Sequence, residues 1–288
     1  MPLIPNDDPE GLAELLGYLG EIGYGELYLR RAPAAAAAGA AGPGVVTAAA
    51  RERSGDAAAS AASAAEAVDQ LVAAARQAGG AAVPERSGAQ EAGAGEGAEE
   101  AAARAAALGA MAEVVAACRR CRLCEGRQKT VFGSGDPHAD LMFIGEGPGA
   151  EEDRQGLPFV GRAGELLTRI IEAIGMTRDQ VYIANIVKCR PPGNRDPQPD
   201  EVAACRPYLE RQIALVRPRL LVALGRIAAQ TLLGNDLPIG RMRGQWFEVL
   251  GVPLMVTYHP AALLRNPALK RPTWEDMQQV RDRLQGAG

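Results

Sequence analysis

The sequence predicts an α/β/α sandwich, a central and mostly parallel sheet with helices on both faces, preceded by a low-complexity Ala-rich N-terminal extension. Three observations predict it. Apolar runs at 141–144, 181–187 and 220–224 have the length of buried strands. Stretches with helical spacing alternate with them, the pattern of parallel strands joined by crossover helices. The first 110 residues differ from the rest: they are rich in Ala, Gly and Glu and carry 15 acidic and 7 basic residues, against 20 and 24 in the remainder. The overall charge of −4 therefore hides a mildly basic C-terminal part. Such a balance permits a polyanionic partner without demanding one.

Taken in order, residues 1–31 read as a short amphipathic helical segment. Asp8 caps it, Pro9 opens it, and Leu12, Leu15, Leu16, Leu19 and Ile22 share one face. It reads as a docking segment whose protein partner the sequence does not name. Residues 32–100 read as a largely disordered linker, because runs of alanine bury too little apolar surface to offset chain ordering. The start, MPLIPNDDPE, has neither the basic nor the apolar region of a signal peptide, and no run of large apolar residues is long enough to cross a bilayer. The expectation is a cytoplasmic, monomeric protein without membrane contact.

Residues 101–288 read as one α/β domain. A helix over 99–117 delivers the chain to a cysteine cluster, and strand 141–144 and helix 162–174 follow. After strand 181–187 comes a loop with four prolines, which excludes helix or central strand. Helix 200–215, strand 220–224 and helix 227–233 precede a hairpin of 246–250 and 253–258 around Gly251. His259 and Pro260 close its second strand, and helix 274–284 ends the domain.

The domain is organised around residues 141–167. A buried strand runs into Gly145-Glu146-Gly147-Pro148-Gly149, where the backbone must turn sharply and pass close to something. Carboxylates follow at Glu151, Glu152 and Asp153, and Phe159 sits in a second loop. Strand, glycine turn, carboxylates, aromatic and helix build a site at the C-terminal end of a strand. No Lys-Ser/Thr follows the glycines, so this is not a P-loop. Glu146, Glu152 and Asp153 suit general-base or electrostatic roles, although each singly also suits a solvated loop. Asn185 lies inside an apolar strand, where an amide is costly unless hydrogen-bonded. His259 ends the last strand; His138, in a loop, carries no partner signal.

Five cysteines in a chain of this kind point to metal or redox chemistry rather than disulfides. Cys118 and Cys121 form a CxxC hook; Cys189 and Cys205 flank the proline loop and a helix start. Four thiolates suit zinc or an iron–sulfur cluster, and spacing leaves the two open. Cys124 is either spare or a ligand in a CxxCxxC run.

Three motifs, GEGPGAEEDRQGLPFVGRAGELL, YIANIVKCRPPGNRDPQPDE and YHPAALLRNP, occur in order. Together they resemble the iron–sulfur, family 4 uracil-DNA glycosylases, from about residue 111 to the end. The resemblance implies that Cys118, Cys121, Cys189 and Cys205 hold a 4Fe–4S cluster, with Cys124 outside the set. It implies that Glu146 and Gly147 form the pocket floor, Phe159 stacks on a flipped uracil, and Asn185 reads its edge. It implies that His259 bonds uracil O2 and that Glu152, or less directly Asp153, orients the attacking water. Leu263, Leu264 and Arg265 match a loop that enters the minor groove of uracil-containing DNA. Arg162, Lys188, Arg190, Arg195 and Arg265 lie in the same loops and are candidates for holding phosphates. The implied activity is hydrolysis of the N-glycosidic bond, leaving an abasic site. Relatives that trap DNA covalently use a histidine after the second strand; the loop here has none. A non-catalytic damage-binding module and a four-cysteine zinc module are the other readings.

Overall fold

The computed structural model describes residues 97–286. The expected helical segment 1–31 and residues 32–96 of the expected linker lie outside the described residues. The linker reading runs slightly too far, because helix α1 (Ala98–Ala116) begins inside it. Leu108, Met111 and Val115 recur at helical spacing and form the buried stripe of α1.

The chain continues through α2 (Leu123–Gly126), β1 (Ser134–Gly135), β2 (Leu141–Gly145), α3 (Ala150–Gln155), α4 (Arg162–Ala173) and β3 (Tyr182–Asn185). Then come α5 (Pro199–Val216), β4 (Leu220–Leu224), α6 (Arg226–Leu233), α7 (Ile239–Met242), β5 (Trp246–Val249), β6 (Val252–Thr257), α8 (Pro260–Arg265) and α9 (Lys270–Leu284). The strands form one sheet in the order β1-β3-β2-β4-β6-β5. The inner four are parallel, and β1 and β5 pair antiparallel at the two edges.

The sheet divides two cores because successive side chains of a strand point to opposite faces. Met142 and Ile144 join Leu221 and Ala223 under α1, α5 and α6. Leu141 and Phe143 join Val222 and Met255 under Leu167 and Ile171 of α4 and Met277 and Val280 of α9. The expected sandwich and its mostly parallel sheet are present.

Several boundaries differ from expectation. The ladder of β3 stops at Asn185, although the Ile186 and Val187 N–H groups still reach the Gly145 and Glu146 carbonyls at 2.9 and 3.1 Å. Helix α9 starts at Lys270, not 274, because Pro272 falls in its first turn, where no N–H has an intrahelical partner. The acidic cluster is helical (α3) rather than loop, and Pro260 opens α8. Six residues are too few for either helix to show periodicity in sequence.

Candidate functional site

The inner strands are parallel, so their C-terminal ends share one edge of the sheet, the usual place for a site in such folds. Gly145 ends β2 and pairs in register with Asn185, which ends β3. His259 follows β6 and is the N-cap of α8. Phe159 comes from the loop between α3 and α4.

These residues surround one small space. A Cβ on Gly145 would stand 2.7 Å from Phe159 Cζ and closer still to Asn185 Oδ1. Only glycine leaves that space open. The Phe159 and His259 rings lie 5.5 Å apart between centroids, tilted by 30°. Asn185 is 1% exposed, and its Oδ1 has no hydrogen-bond partner among the described residues. A buried acceptor without a donor is rare in a folded protein and calls for a partner, an ordered water or a ligand.

The loop that presents Phe159 is held from two sides. Phe159 has φ 52°, a left-handed conformation costly for an aromatic residue. Glu152 Oε1 accepts from the Val160 and Gly161 N–H groups at 3.0 and 3.1 Å. Arg178 donates to the Pro158 carbonyl and to Thr168. Gly164 is required behind the loop, since a Cβ there would meet the Phe159 backbone.

His259 Nδ1 accepts from the Ala261 N–H at 3.1 Å. Burial, and then the nearby Arg265 charge, push its pKa down to about 4, while the carboxylate of Glu152 opposes them. The imidazole is therefore neutral at neutral pH. With Nδ1 accepting, its proton sits on Nε2, which makes Nε2 a hydrogen-bond donor. Glu146 follows Gly145 at the rim. Burial and the Asp196 carboxylate raise its pKa to about 7, partly offset by Arg226, which pairs with Asp196 at 2.7 Å. A Cβ on Gly147 would meet Val187, so the turn runs hard against the chain beyond β3.

Four sequence expectations need correction. Asp153 does not join this group: it is buried and accepts from the Gln128 and Lys129 N–H groups, tying α3 to the segment after α2. Leu263 is 2% exposed and belongs to the interior, so it is not available to a DNA groove. Leu264 is half-buried and Arg265 exposed, and these two face outward. Lys188 is no phosphate ligand, being 1% exposed with its Nζ given to the Asn185 carbonyl at 2.8 Å and to Gln212. Arg195 is committed to the buried carboxylate of Glu201, which Arg122 and the Gln198 N–H also reach.

All five cysteines are free thiols and line one cavity, Cys124 included, together with Arg120, Arg127 and Tyr208. The spacing leaves Cys124 either spare or a ligand in a CxxCxxC run, and only the family resemblance sets it outside the four; here it lines the cavity with the others. Sulfur acceptors are well served: Arg127 reaches Cys189 Sγ at 3.1 Å, the Lys188 N–H reaches Cys205 Sγ at 3.3 Å, and Tyr208 Oη reaches Cys118 Sγ at 3.6 Å. Burial pushes the Cys121 thiol up to about 11 and Cys205 up to about 12. Arg120 Nε and Nη1 are buried without acceptors among the described residues. Among those residues, no three Cys, His, Asp or Glu side chains converge closely enough for a single metal ion.

Comparison with known proteins places the chain in a family. The description "Uracil DNA glycosylase superfamily" matches residues 132–278, a span that holds every pocket residue above. The chain belongs to that superfamily. A type-4 uracil-DNA glycosylase of Sulfurisphaera tokodaii is 45% identical over 179 residues, covering 59% of this chain and 81% of the relative. One of Thermotoga maritima is 42% identical over 182 residues, covering 62% and 95%. A type-5 uracil-DNA glycosylase of Thermus thermophilus is 32% identical over 158 residues, covering 44% and 72%. No described helix is long and apolar enough to cross a membrane.

Proposed function

We propose that the chain is a type-4 uracil-DNA glycosylase of DNA repair, hydrolysing the bond between uracil and deoxyribose and leaving an abasic site. One observation carries the reading. The pocket between Gly145, Phe159 and His259 offers a buried amide acceptor with no donor, Asn185 Oδ1. Uracil presents an N–H at N3, where cytosine presents an acceptor. The same amide can donate to O4, where cytosine carries an amino group.

Uracil stacked in a duplex is out of reach and must be extruded into the pocket. Phe159 then supplies a stacking face. When the C1′–N1 bond breaks, its electron pair goes to uracil, and His259 Nε2–H stabilises the charge that develops at O2. The sugar becomes oxocarbenium-like, and Glu152, a carboxylate beside His259, orients the water that adds to C1′. Crowding at Gly145 and Gly147 leaves little room at the pocket floor, which disfavours the methyl group of thymine. Leu264 and Arg265 are the outward residues of α8 that meet the DNA, whose opened stack an apolar wedge can fill.

The same reading puts a 4Fe–4S cluster among Cys118, Cys121, Cys189 and Cys205. The residues fit such a group. Five thiols line one cavity, and buried Arg120 donors lack acceptors among the described residues that sulfide and thiolate would provide. The cluster would supply structure, joining the end of α1 to the loop after β3. A visible thiolate-to-iron absorbance, with iron rather than zinc by elemental analysis, is the expected result. The reading has the protein act as a cytoplasmic monomer.

Excision from an oligonucleotide with a single uracil, followed by alkaline cleavage, tests the activity. Repeated cleavage at uracil alone, with enzyme below substrate, is expected. Retained or covalent binding without turnover would replace the glycosylase with a damage-binding protein.

A further inference from the structure

We infer that Lys188 is a positioning residue for uracil recognition, holding Asn185 in place from the side of β3 opposite β2; the inference rests on the pocket reading above. The sheet has a gap beside the end of β3. The Ile186 N–H points to β2, where it reaches the Gly145 carbonyl at 2.9 Å. A trans peptide is planar, so the Asn185 carbonyl of the same unit points the other way. On that side β3 has only β1 as neighbour, and β1 covers Tyr182 and Ile183 alone. The Asn185 carbonyl has no strand to bond. Lys188 Nζ takes the vacant place at 2.8 Å.

The ammonium is itself fixed. It donates to Gln212 Oε1 on α5, and Gln212 Nε2 is anchored on the Phe132 carbonyl at 2.9 Å and near Tyr182 Oη at 3.3 Å. The Lys188 main chain is fixed too, its N–H on Cys205 Sγ and its carbonyl on the Val131 N–H at 2.8 Å. One residue therefore touches the thiol cavity, α5 and the peptide that carries the base-reading amide. A buried cation at this point has a use that an apolar side chain lacks, because a methyl group cannot replace a missing strand.

The test compares Lys188→Met with the native full-length holoprotein in three measurements: iron content, equilibrium binding of free uracil, and binding of DNA bearing a tetrahydrofuran abasic analogue. Iron content and abasic-DNA affinity should be unchanged, while uracil binding weakens about tenfold, the weight of one hydrogen bond. Unchanged uracil binding in a folded, iron-loaded variant would overturn the inference. So would parallel loss of iron and of both affinities, which would make Lys188 merely structural. Should that variant not fold, Gln212→Met removes the second anchor of the ammonium and must show the same split between uracil and abasic DNA. Excision by the native chain is scored apart: native protein that binds uracil without releasing it counts against the glycosylase, not against Lys188.

Discussion

Asn185 carries a liability that a bound base removes. Its Oδ1 has no protein donor among the described residues, and a buried acceptor left without one costs about 1–3 kcal/mol. Asn185→Ala should therefore leave Tm unchanged or raise it, while excision falls about 100-fold, the scale of one lost transition-state hydrogen bond. A lowered Tm in a melting experiment would show that the amide stabilises the free protein. Titration adds a second residue-scale expectation. His259 binds its proton at about 4 rather than 6.5. As pH falls from 6.5 toward 4, the unfolded chain takes up a proton that the native imidazole refuses, so stability is lost over that window and is fully present above it. Glu146, raised from 4.5 to about 7, acts in the opposite sense, costing stability as pH rises through that interval. The two windows overlap and oppose each other, so urea unfolding across pH 4–8 should show stability falling as pH rises from 4.5 to 7 in His259→Gln, and rising from 4 to 6.5 in Glu146→Gln. Asn185 and His259 were legible in the sequence because each is a polar residue within or beside an apolar strand. The tautomer of His259 was not, since it depends on the Ala261 N–H of a helix too short to foresee.

At the scale of elements, α8 divides labour between adjacent leucines. Leu263→Ala should cost about 2–5 kcal/mol of stability, as expected for a buried leucine, and reduce activity only through unfolding. Leu264→Ala should leave stability within about 0.5 kcal/mol and weaken binding to uracil-containing DNA. Denaturant midpoints and DNA titrations on both variants check the pair; the reverse pattern would turn the helix around. The sequence showed the motif but not this inward and outward assignment, because both residues are leucine and six positions carry no period. The strand boundaries were readable because their apolar runs are short and bounded by turns. Edge strand β1, two residues long with one of them glycine, left no such trace. Lys188 misled for a physical reason: lysines are seldom buried, and nothing local shows that a strand neighbour is missing.

For the molecule as a whole, the described residues that line the pocket and the thiol cavity all lie after 114. A chain beginning at residue 97 should keep the full-length kcat on a uracil oligonucleotide. Its DNA affinity at low salt should be no weaker, because the part removed is net acidic. Steady-state excision at two salt concentrations checks this, and a fall in kcat would assign the extension a part in turnover. Composition changes at about residue 100. What composition could not supply was the convergence of residues 145, 159, 185 and 259, which follows from parallel strands ending along one edge.

Gly145 and Asn185 are rungs of a single ladder. A slip of one residue between β2 and β3 would turn Asn185 through to the other face of the sheet. With Asn185 reading the base as proposed, base discrimination is inherited from backbone pairing, which is made or unmade as a unit. A damaged copy fails by falling silent, not by growing careless about which bases it removes. For a protein whose errors would be written into a genome, that is the safer way to break.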